Sequence, residues 1–106
     1  MAEALFVYGT LMDPEVQRRV IGRVVPLIPD TLAGYRKGEI VLGKNTYPIA
    51  VRDPDREIAG AVMLLTPSEV RRTDRYEGKA YERGRVVLTS GTEAWVYRSP
   101  ETDGGD

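Results

Sequence analysis

A chain of 106 residues, 42% hydrophobic and 29% charged, has room for one hydrophobic core and the profile of an ordinary globular domain. Its 15 basic and 16 acidic residues leave a formal net charge of -1, so the balance points to neither nucleic acid nor an anionic membrane surface. With no Cys and no His, the chain has no disulfide, thiol nucleophile, thiolate zinc site or Ser-His-Asp triad.

Residues 4–8 read as a short buried strand that breaks at Tyr8-Gly9-Thr10-Leu11. Asp13-Pro14-Glu15 then supplies an N-cap, a proline at the first helical position and an acid in the first turn. Met12, Val16 and Val20 share one face of this short helix, Arg18 and Arg19 suit its negative end, and Gly22 closes it. Residues 23–35 are apolar but interrupted by Pro26 and Pro29, the pattern of an irregular or edge strand.

Ile40-Val41-Leu42 and Tyr47 to Val51 read as short strands around a Gly43-Lys44-Asn45 turn, and Asp53-Pro54-Asp55 reads as a second turn. Glu57 to Leu65 is apolar on both alternating faces, as in a central strand, with Gly60 marking a bulge or a close backbone approach. Thr66-Pro67-Ser68-Glu69 matches a capping box, so a second helix should run from Pro67 to Tyr76 or Glu77 and end at Gly78. Residues 81–89 and 93–98 read as strands joined at Ser90-Gly91-Thr92.

The expected organisation is one domain over 1–98, with a polar, flexible tail over 99–106. Short strands with two irregularly placed helices predict an α+β fold, a small, mixed, mainly antiparallel β-barrel flanked by short helices. No apolar run approaches the ~20 residues of a membrane span. Met1-Ala2-Glu3-Ala4 lacks the features of a signal peptide, so a cytoplasmic location is the default expectation.

Without imidazole or thiol, proton chemistry falls mainly to carboxylates. Val70, Thr73, Asp74 and Glu77 lie on one stripe of the second helix, opposite Arg71, Arg72 and Arg75. The negative helix end and burial would both raise the pKa of Glu77, while Arg75 or Lys79 would lower it. Read locally, Glu77 is either a proton-transfer carboxylate or a solvated group at an ordinary Glu-Gly helix exit. Asp13 and Glu69 read as caps and Asp53 and Asp55 as turn residues, which leaves Glu82 as the competitor.

The turn after the first strand has a similar pair of readings. Gly9 permits positive φ or close approach of a ligand, and successive N–H groups can bind a carboxylate or an oxyanion. A plain strand-to-helix connection needs nothing more than the same glycine. Tyr81 and Tyr97 offer phenols to a pocket or pack in the core, and Trp95 reads as core. Twelve of the 15 basic residues are Arg, and the sequence singles out none of them.

Taken in order, Leu5-Phe6-Val7-Tyr8-Gly9-Thr10-Leu11, Tyr47-Pro48-Ile49, Ile58-Ala59-Gly60-Ala61-Val62, Asp74-Arg75-Tyr76-Glu77-Gly78, Tyr81-Glu82-Arg83 and Ala94-Trp95-Val96-Tyr97 resemble the gamma-glutamylcyclotransferase-like superfamily, in particular its AIG2-like branch. The resemblance implies a cavity at the Tyr8-Gly9-Thr10-Leu11 turn, whose backbone holds a gamma-glutamyl group. It implies Glu77 as the acid/base and Tyr81 and Tyr97 as cavity walls. The implied reaction is an acyltransferase- or lyase-type cyclisation of a gamma-glutamyl amine to 5-oxoproline, with no metal or cofactor. Thr73 departs from the Leu that the family often carries before the Asp. The alternative is a non-catalytic domain of the same fold that binds a small ligand, and the sequence leaves the oligomeric state open.

Overall fold

In the computed structural model, which describes residues 2–100, Leu5, Phe6 and Val7 are buried on both faces of the first strand. That strand, β1 (Glu3–Val7), therefore lies in the middle of the sheet. It is followed by a 3-10 turn (Thr10–Met12) and helix α1 (Pro14–Val20). Two long strands come next, β2 (Ile28–Leu42) and β3 (Asn45–Leu65). Helix α2 (Pro67–Glu77), a second 3-10 turn (Gly78–Ala80), β4 (Glu82–Val87) and β5 (Glu93–Arg98) complete the order.

The five strands form one sheet in the order β2-β3-β1-β5-β4. β1 runs antiparallel to β3, with Val7 opposite Ala61, and parallel to β5, with Phe6 opposite Val96. All other main pairings are antiparallel, β2 with β3 and β4 with β5. Ala50, in the first half of β3, also pairs with Arg98 of β5. β3 thus touches β5 at one end and β1 at the other, which curls the sheet into a half-barrel. The mixed, mainly antiparallel α+β architecture agrees with the expectation.

The expected short strands and the turn at Asp53-Pro54-Asp55 need correction. Both fall within the continuous arms β2 and β3. Ala33 faces Glu57 and Tyr35 faces Arg52, so the residues from Asp53 to Arg56 oppose Gly34 alone. Asp53 Oδ1 accepts from Asp55 N at 3.2 Å, an Asx turn built into a strand as a bulge. The bulge bends β3 without ending it, because pairing with β2 resumes on both sides. Pro29 lies on the edge strand, where a missing N–H is tolerated, as the sequence suggested.

Gly60 marks a close approach and not a bulge. A Cβ there would lie 2.4 Å from the Val7 carbonyl oxygen and 2.7 Å from Phe6 Cζ, while the register around it is unbroken. One face of the sheet packs Leu5, Val7, Met63 and Leu65 against Leu11, Ile21 and Val70, beneath the helices. The other face packs Phe6, Leu32, Tyr35, Ile58, Val62 and Val96. Full burial of one such large side chain contributes about 1.5–3 kcal/mol.

The helix ends follow their local chemistry. Asp13 accepts from Glu15 N at 2.9 Å. Thr66 and Glu69 form the reciprocal capping box, at 3.1 and 2.9 Å. Gly78, with φ +74, ends α2 and donates its N–H to the Asp74 carbonyl. Residues 101–106 of the expected tail lie outside the described residues, whereas Ser99 N donates to the Ala50 carbonyl at 2.8 Å. Among the described residues, no helix is long and apolar enough to cross a membrane.

Candidate active site

The chain leaves β1 at Val7 and turns through Tyr8, Gly9, Thr10 and Leu11 towards α1. Gln17 holds this turn from below. Its side chain is buried, donating to the Leu11 carbonyl at 2.9 Å and accepting from Val25 N at 2.8 Å. A polar residue in the middle of a short helix looks solvent-facing in sequence, so this lock had no local signal. Gly9 has φ -142, so positive φ is not what glycine supplies here. It supplies space, since a Cβ would lie 3.0 Å from Pro48 Cγ.

Above the turn opens a cavity of about 210 Å³, small compared with the ~300–1,000 Å³ typical of drug-sized sites. Tyr8, Gly9, Thr10, Leu11, Glu77, Tyr81 and Tyr97, all singled out in the sequence, line it together. Tyr47, Pro48 and Leu42, from the β2–β3 hairpin, and Tyr76 of α2 line it as well. Five of the six tyrosines of the chain thus meet here, and Glu77 is the single formally charged lining residue. Tyr47 and Tyr76 were not assigned from sequence. Tyr47 stands in the Tyr47-Pro48-Ile49 block, which was its available signal.

Most of the phenol hydroxyls are already engaged. Tyr8 Oη donates to the Tyr97 carbonyl at 2.5 Å and accepts from Ala50 N at 2.9 Å, tying β5 to β3. Tyr81 Oη donates to the Pro48 carbonyl at 2.8 Å. Tyr97 Oη donates to Asp74 Oδ1 at 2.6 Å and lies 2.7 Å from Thr73 Oγ1. Tyr76 Oη lies 2.8 Å from Thr10 Oγ1, joining α2 to the turn. These rings shape the cavity walls, and their hydroxyls hold the walls together. Among the described residues Tyr47 makes no such bond, which leaves its hydroxyl available to a ligand.

Glu77 occupies the last turn of α2, partly buried, and no described residue donates to its carboxylate. Burial raises its pKa from 4.5 to about 7, because desolvation penalises the ionised form. Neither Arg75 nor Lys79 offsets this. The Glu77 charge reaches its neighbours: Tyr81 is pushed up to about 12, by burial first and then by Glu77. The Tyr8 phenol is raised further, again chiefly by burial. The 3-10 turn, which shares the cavity lining with Glu77, begins its hydrogen bonds at Met12 N and Asp13 N. The N–H groups of Gly9, Thr10 and Leu11 therefore have no partner within the turn.

A brace behind the cavity fixes α2. Asp74 takes two hydrogen bonds from Arg83, at 2.8 and 3.2 Å. Arg83 in turn lies over the Trp95 ring, 4.2 Å from its centre, with Arg85 at 4.8 Å. Trp95 is half-buried and donates to Glu3 at 2.9 Å, so it sits at the core margin and not in the core. Glu82, the competing carboxylate, pairs with Arg98 at 3.3 Å and does not line the cavity. Among the described residues, no group of three or more His, Cys, Asp or Glu side chains could hold a metal ion.

The same architecture occurs in known proteins. The family model for gamma-glutamyl cyclotransferase, AIG2-like, matches residues 5–106. AIG2-like protein B of Arabidopsis thaliana is 30% identical over 96% of this chain, and that alignment covers 64% of the relative. The chain thus spans just under two thirds of that protein's length. An Arabidopsis thaliana protein solved in solution superposes with a TM-score of 0.79 at 27% identity, over 97% of this chain and 72% of the other. A solved gamma-glutamyl cyclotransferase shares the fold, with a TM-score of 0.74 at 16% identity over 95% of this chain and 68% of the other. The chain belongs to the AIG2-like gamma-glutamyl cyclotransferase family.

Proposed function

We propose that this domain is a cyclotransferase that converts a gamma-glutamyl amine, or a related small amide, to 5-oxoproline with release of the amine. One observation carries the reading: the cavity contains a single ionisable carboxylate, Glu77, unpaired and raised to about 7 by burial. A carboxylate kept only to pair with the α-ammonium group of a bound ligand would be served best by staying ionised, whereas Glu77 is raised towards neutrality by burial. A carboxylate that gains and loses a proton near neutral pH is suited to proton transfer.

The chemistry follows from that placement. Glu77, ionised, takes a proton from the α-ammonium group of the substrate. The freed amine attacks its own γ-carbonyl, forming the C–N bond of a five-membered lactam. Negative charge collects on the carbonyl oxygen, where N–H groups of the Gly9-to-Leu11 turn stabilise it. Glu77 then returns that proton to the leaving nitrogen and takes the second proton of the attacking nitrogen as the original amide bond breaks, so that 5-oxoproline forms and the amine leaves carrying the second proton as an ammonium ion. No water is consumed. An intramolecular nucleophile needs chiefly positioning, which the walls of Tyr8, Tyr81 and Tyr97 supply. The test is release of 5-oxoproline from a panel of gamma-glutamyl amines, with Glu77→Gln binding the same compounds but turning none over. Binding across the panel without release would favour the non-catalytic reading.

A further inference from the structure

The β2–β3 hairpin reaches the cavity with one of its faces. Ile40 pairs with Tyr47 and Leu42 with Asn45, so Leu42 and Tyr47 point to the same side, and both line the cavity. The backbone beside Tyr47 is fixed from two directions. The Pro48 carbonyl accepts from Tyr81 Oη at 2.8 Å, and the Pro48 ring stands 3.0 Å from where a Cβ on Gly9 would lie. Tyr47 itself is half-buried, on a strand clamped between the turn and the start of β4.

A gamma-glutamyl ligand brings an α-carboxylate into a cavity that offers it no cation, since among the described residues no Arg or Lys lines the walls. Neutral donors must hold it. Three of the phenols have already given their hydrogen away: Tyr8 to the Tyr97 carbonyl, Tyr81 to the Pro48 carbonyl and Tyr97 to Asp74. Tyr76 and Thr10 are bonded to each other. In the proposed reaction the N–H groups of the Gly9-to-Leu11 turn serve the γ-carbonyl oxygen. Among the described residues, Tyr47 is the lining phenol whose hydrogen is still uncommitted.

Its place suits the carboxylate. The α-ammonium and α-carboxylate groups share one carbon, so the partner of the carboxylate has to stand near Glu77. Tyr81 adjoins both candidates: after burial, its phenol is raised by Glu77, Tyr76 and Tyr47. We propose that Tyr47 donates its hydroxyl hydrogen to the α-carboxylate of the bound ligand, which makes the β2–β3 hairpin the element that selects an α-amino-acid head group. A hydrogen bond from a phenol to a carboxylate is charge-assisted and stronger than a neutral one. The inference rests on the cyclotransferase reading for the orientation of the ligand, but its test reads binding.

Two ligands differing only at that group separate the possibilities: gamma-glutamyl methylamide, and gamma-aminobutyryl methylamide, which carries hydrogen in place of the carboxylate. Their affinities are measured by NMR titration on Glu77→Gln and on the same protein carrying Tyr47→Phe. The second change removes one oxygen that has no partner in the fold, so the ring and its packing stay. Tyr47→Phe should weaken gamma-glutamyl methylamide about tenfold or more and leave the ligand without the carboxylate unchanged. Equal losses for both ligands, no loss for either, or no binding of gamma-glutamyl methylamide overturns the proposal. If the selective loss is found while wild-type protein releases no 5-oxoproline from gamma-glutamyl methylamide, the cyclotransferase reading fails and the carboxylate contact stands. If 5-oxoproline is released and Tyr47→Phe leaves KM unchanged, the contact fails and the reaction stands.

Discussion

At the scale of single residues, Glu77 concentrates the argument. Its helical stripe with Val70, Thr73 and Asp74 was legible from spacing, and burial confirms that face: Val70 and Thr73 are both buried. The direction of its titration was not legible, because Arg75 and Lys79 are near in sequence and only the fold keeps them from offsetting burial. The shift has a consequence for stability. Unfolded, Glu77 titrates near 4.5, and folded it titrates at about 7. Between those values the folded protein keeps a proton that the unfolded chain has lost. Stability therefore falls as pH rises across that window and is level above it. Glu77→Gln lacks this loss. In urea titrations the variant should gain on wild type at pH 8, by at most about 3 kcal/mol, and show none of that gain at pH 4. An equal difference at both pH values would contradict a raised Glu77.

At the scale of elements, the ends of both helices were written locally, in Asp13-Pro14 and in the Thr66–Glu69 capping box. The long arms were not. Asp53-Pro54-Asp55 has the composition of a turn, and only pairing with β2 on either side turns it into a bulge. The place of Tyr47 in the cavity wall is hidden for the same reason, since the hairpin brings it there through contacts distant in sequence. Gln17 likewise looked like surface until tertiary packing gave it two backbone partners. Gly60 was recognised as special, and the structure gives it a sharp expectation. Gly60→Ala pushes a methyl group into the Val7 carbonyl and Phe6, the two residues that lead β1 into the Tyr8-to-Leu11 turn. Overpacking of this kind costs about 1–3 kcal/mol, read as a lowered denaturant midpoint. A midpoint equal to that of wild type would mean that β1 and β3 lie further apart than described.

At the scale of the whole molecule, one curled sheet serves two purposes. Its two faces supply the core, and the place where β1 runs out beneath α2 supplies the cavity. The Asp74–Arg83–Trp95 brace joins these parts, tying α2 to β4 and β5 so that Glu77 stays over the turn. The near-zero net charge hides a local asymmetry, with one acid lining the cavity and Arg19, Arg72 and Arg75 grouped between α1 and α2. The most direct test is the pH dependence of 5-oxoproline release from a gamma-glutamyl amine. With ionised Glu77 as the proposed base, kcat/KM should rise with pH through an apparent pKa near 7. Glu77→Gln should lower it by about a hundredfold or more at every pH while still binding the substrate. Release that persists in Glu77→Gln with an unchanged pH profile would contradict the assignment of the proton shuttle to Glu77.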